Sequence, residues 1–425
     1  MKATKIFMMA ALALTFAACS NNDDIDFAQQ PVEQPANGEI TITATLDVND
    51  GASTRALSID GSNIASTWKT TDQFAILYNN GTEDTKSVAT VDKIDGTTVT
   101  ITFTIPASLA NNTACTIVYP ASAANAANTG ADVATALATQ DGTIGNCPEV
   151  RVGTATIDKD NHNLTSVTKL EAQNAIFKFT LSGPSIDATH PLVIKKGEND
   201  VVTTVTPASS TTSVYVAMPP AASSTYRFIV NTDDNKYINS GTAAITAGKY
   251  YETTLDLSTA RYPLALSNAT VDDLGSVIGA DGKIYLNMTA ATGASPATTA
   301  VAMIAYVSDT GHGLALALAD EGWMNWSTAK TTCEAHTPAV TGGTWQLPSR
   351  DDWNNMITAA GSYTALRDGF SSFGGTNMDA RPYWSSTDAY TIGSLQIKYA
   401  YKFNEGSWGT FGSTGDQNTR ACLAF

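Results

Sequence analysis

Apolar and polar residues alternate along several short stretches of the chain, as they do in β-strands with one buried face. The clearest stretch runs from residue 39 to residue 48. One of its faces carries Ile40, Ile42, Ala44, Leu46 and Val48, and the other carries Thr41, Thr43, Thr45 and Asp47. This pattern predicts a half-buried strand that ends before a turn at Asp50-Gly51.

Further strand-forming stretches follow at short spacing, with few helix signals between them. The first group comprises Phe74–Tyr78, Val88–Lys93, Val99–Ile105 and Thr116–Tyr119, with a hairpin turn at Asp95-Gly96. The alternation begins again near Thr168, and the second group comprises the stretches 175–181, 214–220, 226–230 and 250–257. Two such groups predict two all-β sandwich domains.

Two amphipathic helices are predicted near the C-terminal end. Ser327 is the expected cap of the first, whose apolar face carries Trp326, Ala329 and Cys333. Ser349 and Asp352 form a capping-box pattern at the start of the second. The apolar face of the second helix carries Trp353, Met356, Ile357 and Ala360. These helices open a C-terminal module that we place at residues 262–425.

The N-terminal residues have the features of an exported lipoprotein. Residues 1–18 contain two lysines and then an apolar run too short to span a membrane. The run leads through small residues into Cys19, which resembles a lipidation site, and an acidic stretch at Asp23-Asp24 follows. We place a tether at residues 19–37, where the stretch from Gln29 to Asn37 is rich in proline and glutamine. We expect a lipid-anchored protein facing outward from the outer membrane; the alternative is a plain secretory signal with an incidental cysteine.

The negative net charge of the chain disfavours two classes of partner. Removal of residues 1–18 takes away Lys2 and Lys5 and no acid, which leaves 22 basic and 40 acidic residues and a net charge near −18. Nucleic acid and anionic lipid surfaces are therefore disfavoured as partners. The remaining length of about 400 residues suggests two to four domains.

The C-terminal motifs resemble those of C-type-lectin-like modules, in the branch found in Fibrobacter and Bacteroides surface proteins. They are Gly343–Ser349 (GTWQLPS), Tyr383–Thr387 (YWSST) and Arg420–Phe425 (RACLAF). The resemblance implies an α+β fold and a disulfide between Cys333 and Cys422. We expect Trp345, Trp353 and Trp384 to be core residues with one polar partner each. Trp408 lies in a glycine-containing loop, so we expect it to be exposed.

The order of features in residues 38–258 resembles the fimbrillin family of Bacteroidales pili. These features are the alternating first strand, Thr54-Arg55-Ala56 after it, and the stretches VYVAMPP from Val214 and GKYYETTLDL from Gly248. The resemblance implies two fimbrillin/transthyretin-like β-sandwich domains, at 38–165 and 166–258. The predicted fold class is therefore mainly β, with these two domains followed by the α+β lectin-like domain.

The fimbrillin resemblance also implies assembly with other pilus subunits by strand exchange. A protease would cut between Arg55 and Ala56, and another subunit's strand would fill the groove left by the first strand. Because a lectin-like module stands where shaft subunits carry a donor strand, we expect a tip adhesin that binds a glycan or a host protein. The alternative is a stand-alone surface lipoprotein in which Arg55 is an ordinary loop arginine.

Four cysteines remain besides Cys19, and they allow three pairings. We favour Cys115 with Cys147 and Cys333 with Cys422; the alternative for the first pair is two free buried thiols. No CxxC motif or His/Cys cluster is present in the sequence, so we expect no metal bound through these residues.

No catalytic set is apparent, and we expect the protein not to be an enzyme. Asp351 and Asp352 are explained by the first turn of a helix, where negative charge is favoured. The expected ligand-binding residues lie in oxygen-rich loops of the last module, and they are Asp379, Asn404, Glu405, Trp408 and Asp416. We expect no cofactor, with Ca²⁺ in these loops as the alternative.

Overall fold

A computed structural model describes residues 38–47, 58–60, 63–65, 68–96, 98–198 and 200–425. The protein is mainly β, as predicted, and its strands form sheets in three successive regions of the chain. In the described part of the chain, no helix is both long enough and apolar enough to cross a membrane.

Among its described residues, the first region contains eleven strands and one short α-helix. Its elements are β1 (Glu39–Asp47), β2 (Ser58–Asp60), β3 (Asn63–Ala65), β4 (Gln73–Asn79), β5 (Asp84–Asp95), β6 (Thr98–Pro106), β7 (Thr113–Tyr119), α1 (Val133–Leu137), β8 (Thr139–Gln140), β9 (Arg151–Asp158), β10 (Asn163–Thr165) and β11 (Glu171–Ala172). The predicted strands are confirmed, most of them with longer bounds.

One sheet of eight strands encloses the core of this region. Its order is β1-β6-β5-β4-β7-β9-β10, and β11 also pairs with β9. The sheet curls, so that β1 at one end of the order meets the β9–β10 turn at the other: the Thr43 amide donates to the His162 carbonyl at 3.0 Å. The buried core includes Ile42, Leu46, Phe74 and Ile117. The first region is thus built mainly on one curled sheet, and β2 and β3 pair with each other in a separate two-stranded sheet.

The second region is a sandwich of two sheets. Its strands are β12 (Ala175–Ser182), β13 (Leu192–Lys196), β14 (Asp200–Val205), β15 (Ser213–Met218), β16 (Ala221–Asn231), β17 (Lys236–Ile245) and β18 (Tyr250–Asp256). One sheet has the order β15-β12-β18, and the other has the order β17-β16-β13-β14-β8. The two sheets meet in a core where the rings of Phe179 and Phe228 lie 5.2 Å apart. Strand β8 lies between β7 and β9 in the chain, but it joins this second sheet, where it pairs with β14 in parallel.

The third region combines two sheets with helices. Its elements are β19 (Leu264–Ala265), β20 (Val277–Gly279), β21 (Lys283–Tyr285), α2 (Met288–Gly293), β22 (Ala300–Val307), β23 (Gly313–Ala317), β24 (Gly322–Asn325), α3 (Trp326–Glu334), β25 (Thr344–Gln346), α4 (Arg350–Ala359), α5 (Tyr363–Asp368), β26 (Pro382–Ile392), β27 (Leu395–Lys402), β28 (Ser407–Gly412), β29 (Asp416–Thr419) and β30 (Cys422–Ala424). The sheet orders are β19-β21-β20-β22-β23-β30-β25 and β24-β29-β26-β27-β28.

Both predicted helices are present, and one expected cap is wrong. Helix α4 begins with the predicted capping box of Ser349 and Asp352. Helix α3 is capped by Asn325, whose side chain accepts from the Thr328 amide, and not by Ser327. Asn is as good an N-cap as Ser, and the helix begins two residues earlier than Ser327 would allow.

The tryptophans of the third region are packed largely as predicted. Trp345, Trp353 and Trp384 are buried, and each indole N–H donates to one backbone carbonyl. Trp408 differs from the prediction, because it is half-buried and not exposed. Its indole N–H donates to the Asn354 Oδ1 at 3.1 Å, so helix α4 covers part of the ring.

A buried ion pair lies at the junction between the second and third regions. The guanidinium of Arg261 donates to both carboxylate oxygens of Asp273, at 2.6 and 2.5 Å. The Tyr262 hydroxyl also donates to Asp273, at 2.8 Å. Because the Asp273 side chain is fully buried, this pair fixes the start of the third region in place.

Candidate functional site

Strand β1 closes the core of the first region from the end of its sheet. It pairs with β6 in an antiparallel register that runs from Glu39 opposite Pro106 to Asp47 opposite Thr98. Residues opposite each other in such a ladder have side chains on the same face. The inward pairs are Ile40 with Ile105, Ile42 with Phe103, Ala44 with Ile101 and Leu46 with Val99. Strand β1 therefore supplies one side of an apolar core.

The other edge of β1 is bonded much more sparsely. The His162 carbonyl accepts from the Thr43 amide, and the His162 ring Nδ1 lies 3.1 Å from the Thr41 carbonyl oxygen. His162 has a positive φ of 55°, which places it in the turn after β9. In the part of the chain that the structure describes, β6 is the only strand with a ladder to β1. Strand β1 thus has a full ladder on one edge and only a turn on the other. It forms the seam of the curled sheet, by which we mean the line where the two ends of the sheet order meet.

Removal of β1 would open an apolar groove along this seam. Ile42 and Leu46 are fully buried and Ala44 is 6% exposed. Without them, Val99, Ile101 and Phe103 of β6 would face solvent, and the β6 edge would lose its hydrogen-bonding partners. Such an edge is a template for another strand. An incoming strand would have to place a large, a small and a large side chain in the groove at alternate positions, as β1 does with Ile42, Ala44 and Leu46.

Strand β30, unlike β1, is paired with another strand along both of its edges. Leu423 lies opposite Ala315 of β23 on one edge and opposite Trp345 of β25 on the other. Cys422 and Leu423 are fully buried. Release of β30 would therefore break two ladders in the middle of a sheet, whereas release of β1 breaks one.

The predicted ligand-binding residues of the third region fall into three separate places. Asn404, Glu405 and Trp408 lie at or beside the β27–β28 turn. Lys402 bonds to the Glu405 carboxylate there and lowers the pKa of that group. Asp379 lies in the loop before β26, where it pairs with Arg381 at 3.4 Å.

Asp416 begins strand β29, opposite Asn325. Among the described residues, no hydrogen bond joins Asp379 or Asp416 to the turn that carries Glu405. No group of three or more His, Cys, Asp or Glu side chains that could hold a metal ion is found there either. The structure thus brings together three of the five predicted residues.

Sequence patterns did not indicate two residues that pack against Trp408. The Arg350 guanidinium lies over the ring of Tyr399, 4.6 Å from its centroid, and over Trp408, 5.4 Å from that centroid. Arg350 starts helix α4, and Tyr399 lies on β27. Because these residues are distant in sequence and belong to different elements, no periodicity could have grouped them.

Comparisons with known proteins give no family assignment. No protein-family model matches the sequence, and no curated protein sequence matches it significantly. Among solved structures, a fimbrial protein from Bacteroides ovatus is similar, with 12% identity, 91% of this chain and 99% of that chain covered, and a TM-score of 0.26.

Two further solved structures are similar over about half of the chain. A fimbrial assembly protein from Parabacteroides distasonis has 12% identity, with 51% of this chain and 90% of that chain covered and a TM-score of 0.27. The tip fimbrial protein Mfa3 from Porphyromonas gingivalis, with a C-terminal truncation, has 10% identity, with 51% and 94% covered and a TM-score of 0.24. TM-scores this low do not assign a fold or a function.

The predicted disulfides are not formed in the structure. Cys115, Cys147, Cys333 and Cys422 are free and buried. Cys115 and Cys147 belong to different cores, one inside the curled sheet and one on its outer face. The alternative of free buried thiols therefore describes the first pair, and it extends to the second.

Burial favours the protonated form of these thiols. It raises the pKa of Cys115 and of Cys147 to about 12, and it raises the pKa of Cys333 and Cys422 as well. All four thiols are protonated at neutral pH and serve as apolar core groups.

The three remaining predicted sites lie outside the described residues. They are the lipidation site Cys19 and the two residues of the proposed cleavage site, Arg55 and Ala56. They stay predictions from the sequence.

Proposed function

We propose that this protein is a surface-anchored fimbrial tip subunit that accepts a strand from a neighbouring subunit. The observation that carries the proposal is the seam position of β1. This strand completes an apolar core, yet it is bonded to a full ladder on one edge only, so its loss creates a groove of defined shape. Lipidation at Cys19 would hold the protein at the outer membrane, and cleavage after Arg55 would release β1.

The third region supports the assignment to the tip. Strand β30 is bound on both edges, so it is poorly suited to donation. The third region instead presents loops and aromatic side chains around Glu405 and Trp408, which fit a role in binding a glycan or a host protein. The subunit would thus accept a strand through its first region and bind a ligand through its third.

Cleavage at Arg55 is tested by expressing wild-type and Arg55→Ala chains in cells that assemble fimbriae. Wild-type protein in the sheared fimbrial fraction should begin at Ala56, and the Arg55→Ala protein should stay uncut in the membrane fraction. Arg381→Ala, a change at an exposed arginine of the third region, is the control and should behave as wild type. A wild-type subunit incorporated without a cut, or an uncut monomer in cells that assemble fimbriae, would refute the proposal.

A further inference from the structure

Arg350 differs from the other arginines of the third region in its partners. Arg367, Arg381 and Arg420 each pair with a carboxylate, of Asp368, Asp379 and Asp320 respectively. Within the described residues, Arg350 has no carboxylate partner. Its Nε is buried and has no hydrogen-bond partner there. A half-buried guanidinium without a counter-charge is costly unless something else satisfies it.

The surroundings of Arg350 hold its side chain in one place. The guanidinium packs in the angle between Tyr399 and Trp408, whose rings lie 6.0 Å apart at 81° to each other. Attraction between the cation and the ring faces stabilises this position. Trp408 is itself fixed, because its indole N–H donates to Asn354 and its ring packs on Tyr401 at 5.1 Å.

Three acidic groups on the surrounding elements already have partners. Glu405 bonds to Lys402, Asp388 pairs with Lys398, and Asp352 closes the capping box of α4. None of these carboxylates neutralises Arg350. The cation is therefore held in place by aromatic rings and remains available to an external anion, although the protein as a whole is strongly acidic.

We propose that Arg350, Tyr399 and Trp408 form a binding site for a carboxylate-bearing sugar residue. The guanidinium presents planar paired donors, which match the two oxygens of a carboxylate. The aromatic side chains offer apolar surface to a sugar ring. Asn354 uses its carbonyl oxygen on Trp408, so its NH₂ group is the part left to donate to sugar hydroxyls.

This inference rests on the binding role proposed above for the third region, and it gives that role a ligand class. It places the site on helix α4 and strands β27 and β28, next to the predicted residues Glu405 and Trp408. Asp379 and Asp416 have no part in it. The anion could be a carboxylate or a sulfate ester, and the planar fork of Arg350 favours the carboxylate.

The test measures binding of the full chain to an array of oligosaccharides that end in galacturonate, glucuronate or N-acetylneuraminate. Each sugar is presented as the free acid and as its methyl ester, which removes the charge and keeps the ring. Wild type should bind at least one free acid about tenfold or more tightly than its ester, because charge-assisted hydrogen bonds supply that difference. Sulfated analogues form a separate arm.

Three variants define the role of Arg350. Arg350→Gln should lose the preference for the acid, and Arg350→Lys should keep only part of it, because lysine has the charge without the fork. Arg381→Gln is the matched control, since Arg381 also lies over a tryptophan, Trp323, at 5.4 Å, and it should bind as wild type. Thermal unfolding of each variant shows whether the fold is kept.

Several results would overturn the carboxylate site. They are equal binding of acid and ester, tighter binding of the sulfated analogue, no binding of any free acid, or an unchanged preference in a folded Arg350→Gln protein. Incorporation of the Arg350→Gln protein into fimbriae is measured in parallel. Normal incorporation together with any of these results would refute the ligand class and leave the strand-acceptor proposal standing.

Discussion

Ile42 and Leu46 determine how firmly β1 is held in the first region. Both side chains are fully buried against β6 residues. Leu46→Ala should lower the free energy of unfolding of this region by about 2–5 kcal/mol, the usual range for removing a buried leucine side chain. Hydrogen exchange of the β6 amides measures the change.

Thr45→Ala is the matched control for this prediction. Thr45 lies next to Leu46 on the same strand, and its side chain is exposed. Its replacement should change stability by no more than about 0.5 kcal/mol. Equal effects of the two substitutions would show that β1 does not complete the core.

Single residues show where sequence patterns were insufficient. Asn325 and Ser327 are both good helix caps, and only the packed position of α3 decides between them. The loop composition around Trp408 predicted exposure, but Asn354 and Arg350 of helix α4 cover the ring. The capping box at Ser349 was predictable because all of its interactions are local.

Among the elements, β1 shows what alternation along a strand can and cannot predict. The pattern correctly placed Ile42, Ala44 and Leu46 in the core, because a period of two puts alternate residues on one face. It could not show that β1 ends a sheet order, since that depends on contacts with β6 and with the distant His162 turn. Strand β8 has only two residues, too few for any pattern, and it was missed.

For the molecule as a whole, the junction at Asp273 links stability to pH. Burial on its own raises the pKa of Asp273, but the hydrogen bonds from Arg261 and the Thr270 amide, with the charge of Arg261, outweigh it and lower the pKa. A lowered pKa means stability that is present above the unfolded value of about 3.9 and is lost as the pH falls through the folded value.

Asp273→Asn should therefore destabilise the protein at neutral pH, by about 3–5 kcal/mol for a broken buried pair. The difference from wild type should be constant above about pH 5 and should shrink below about pH 4. Urea unfolding across this pH range measures it. Glu334→Gln is the control, because its pair with Lys330 is exposed at 3.9 Å, and an equally large effect there would contradict the account.

The proposed function requires that β1 be an exchangeable strand, and strand replacement tests this most directly. The chain is cut after Arg55, the released segment is removed, and a synthetic peptide of residues 38–47 is added while hydrogen exchange of the β6 amides is followed. These amides should lose protection when β1 is removed and regain it with the peptide. A peptide carrying Ala44→Phe or Leu46→Asp should fail, because the groove takes a small side chain at the first position and an apolar one at the second. If the β6 amides stay protected without β1, or if all three peptides act alike, β1 is not an exchangeable strand and the proposed function is wrong.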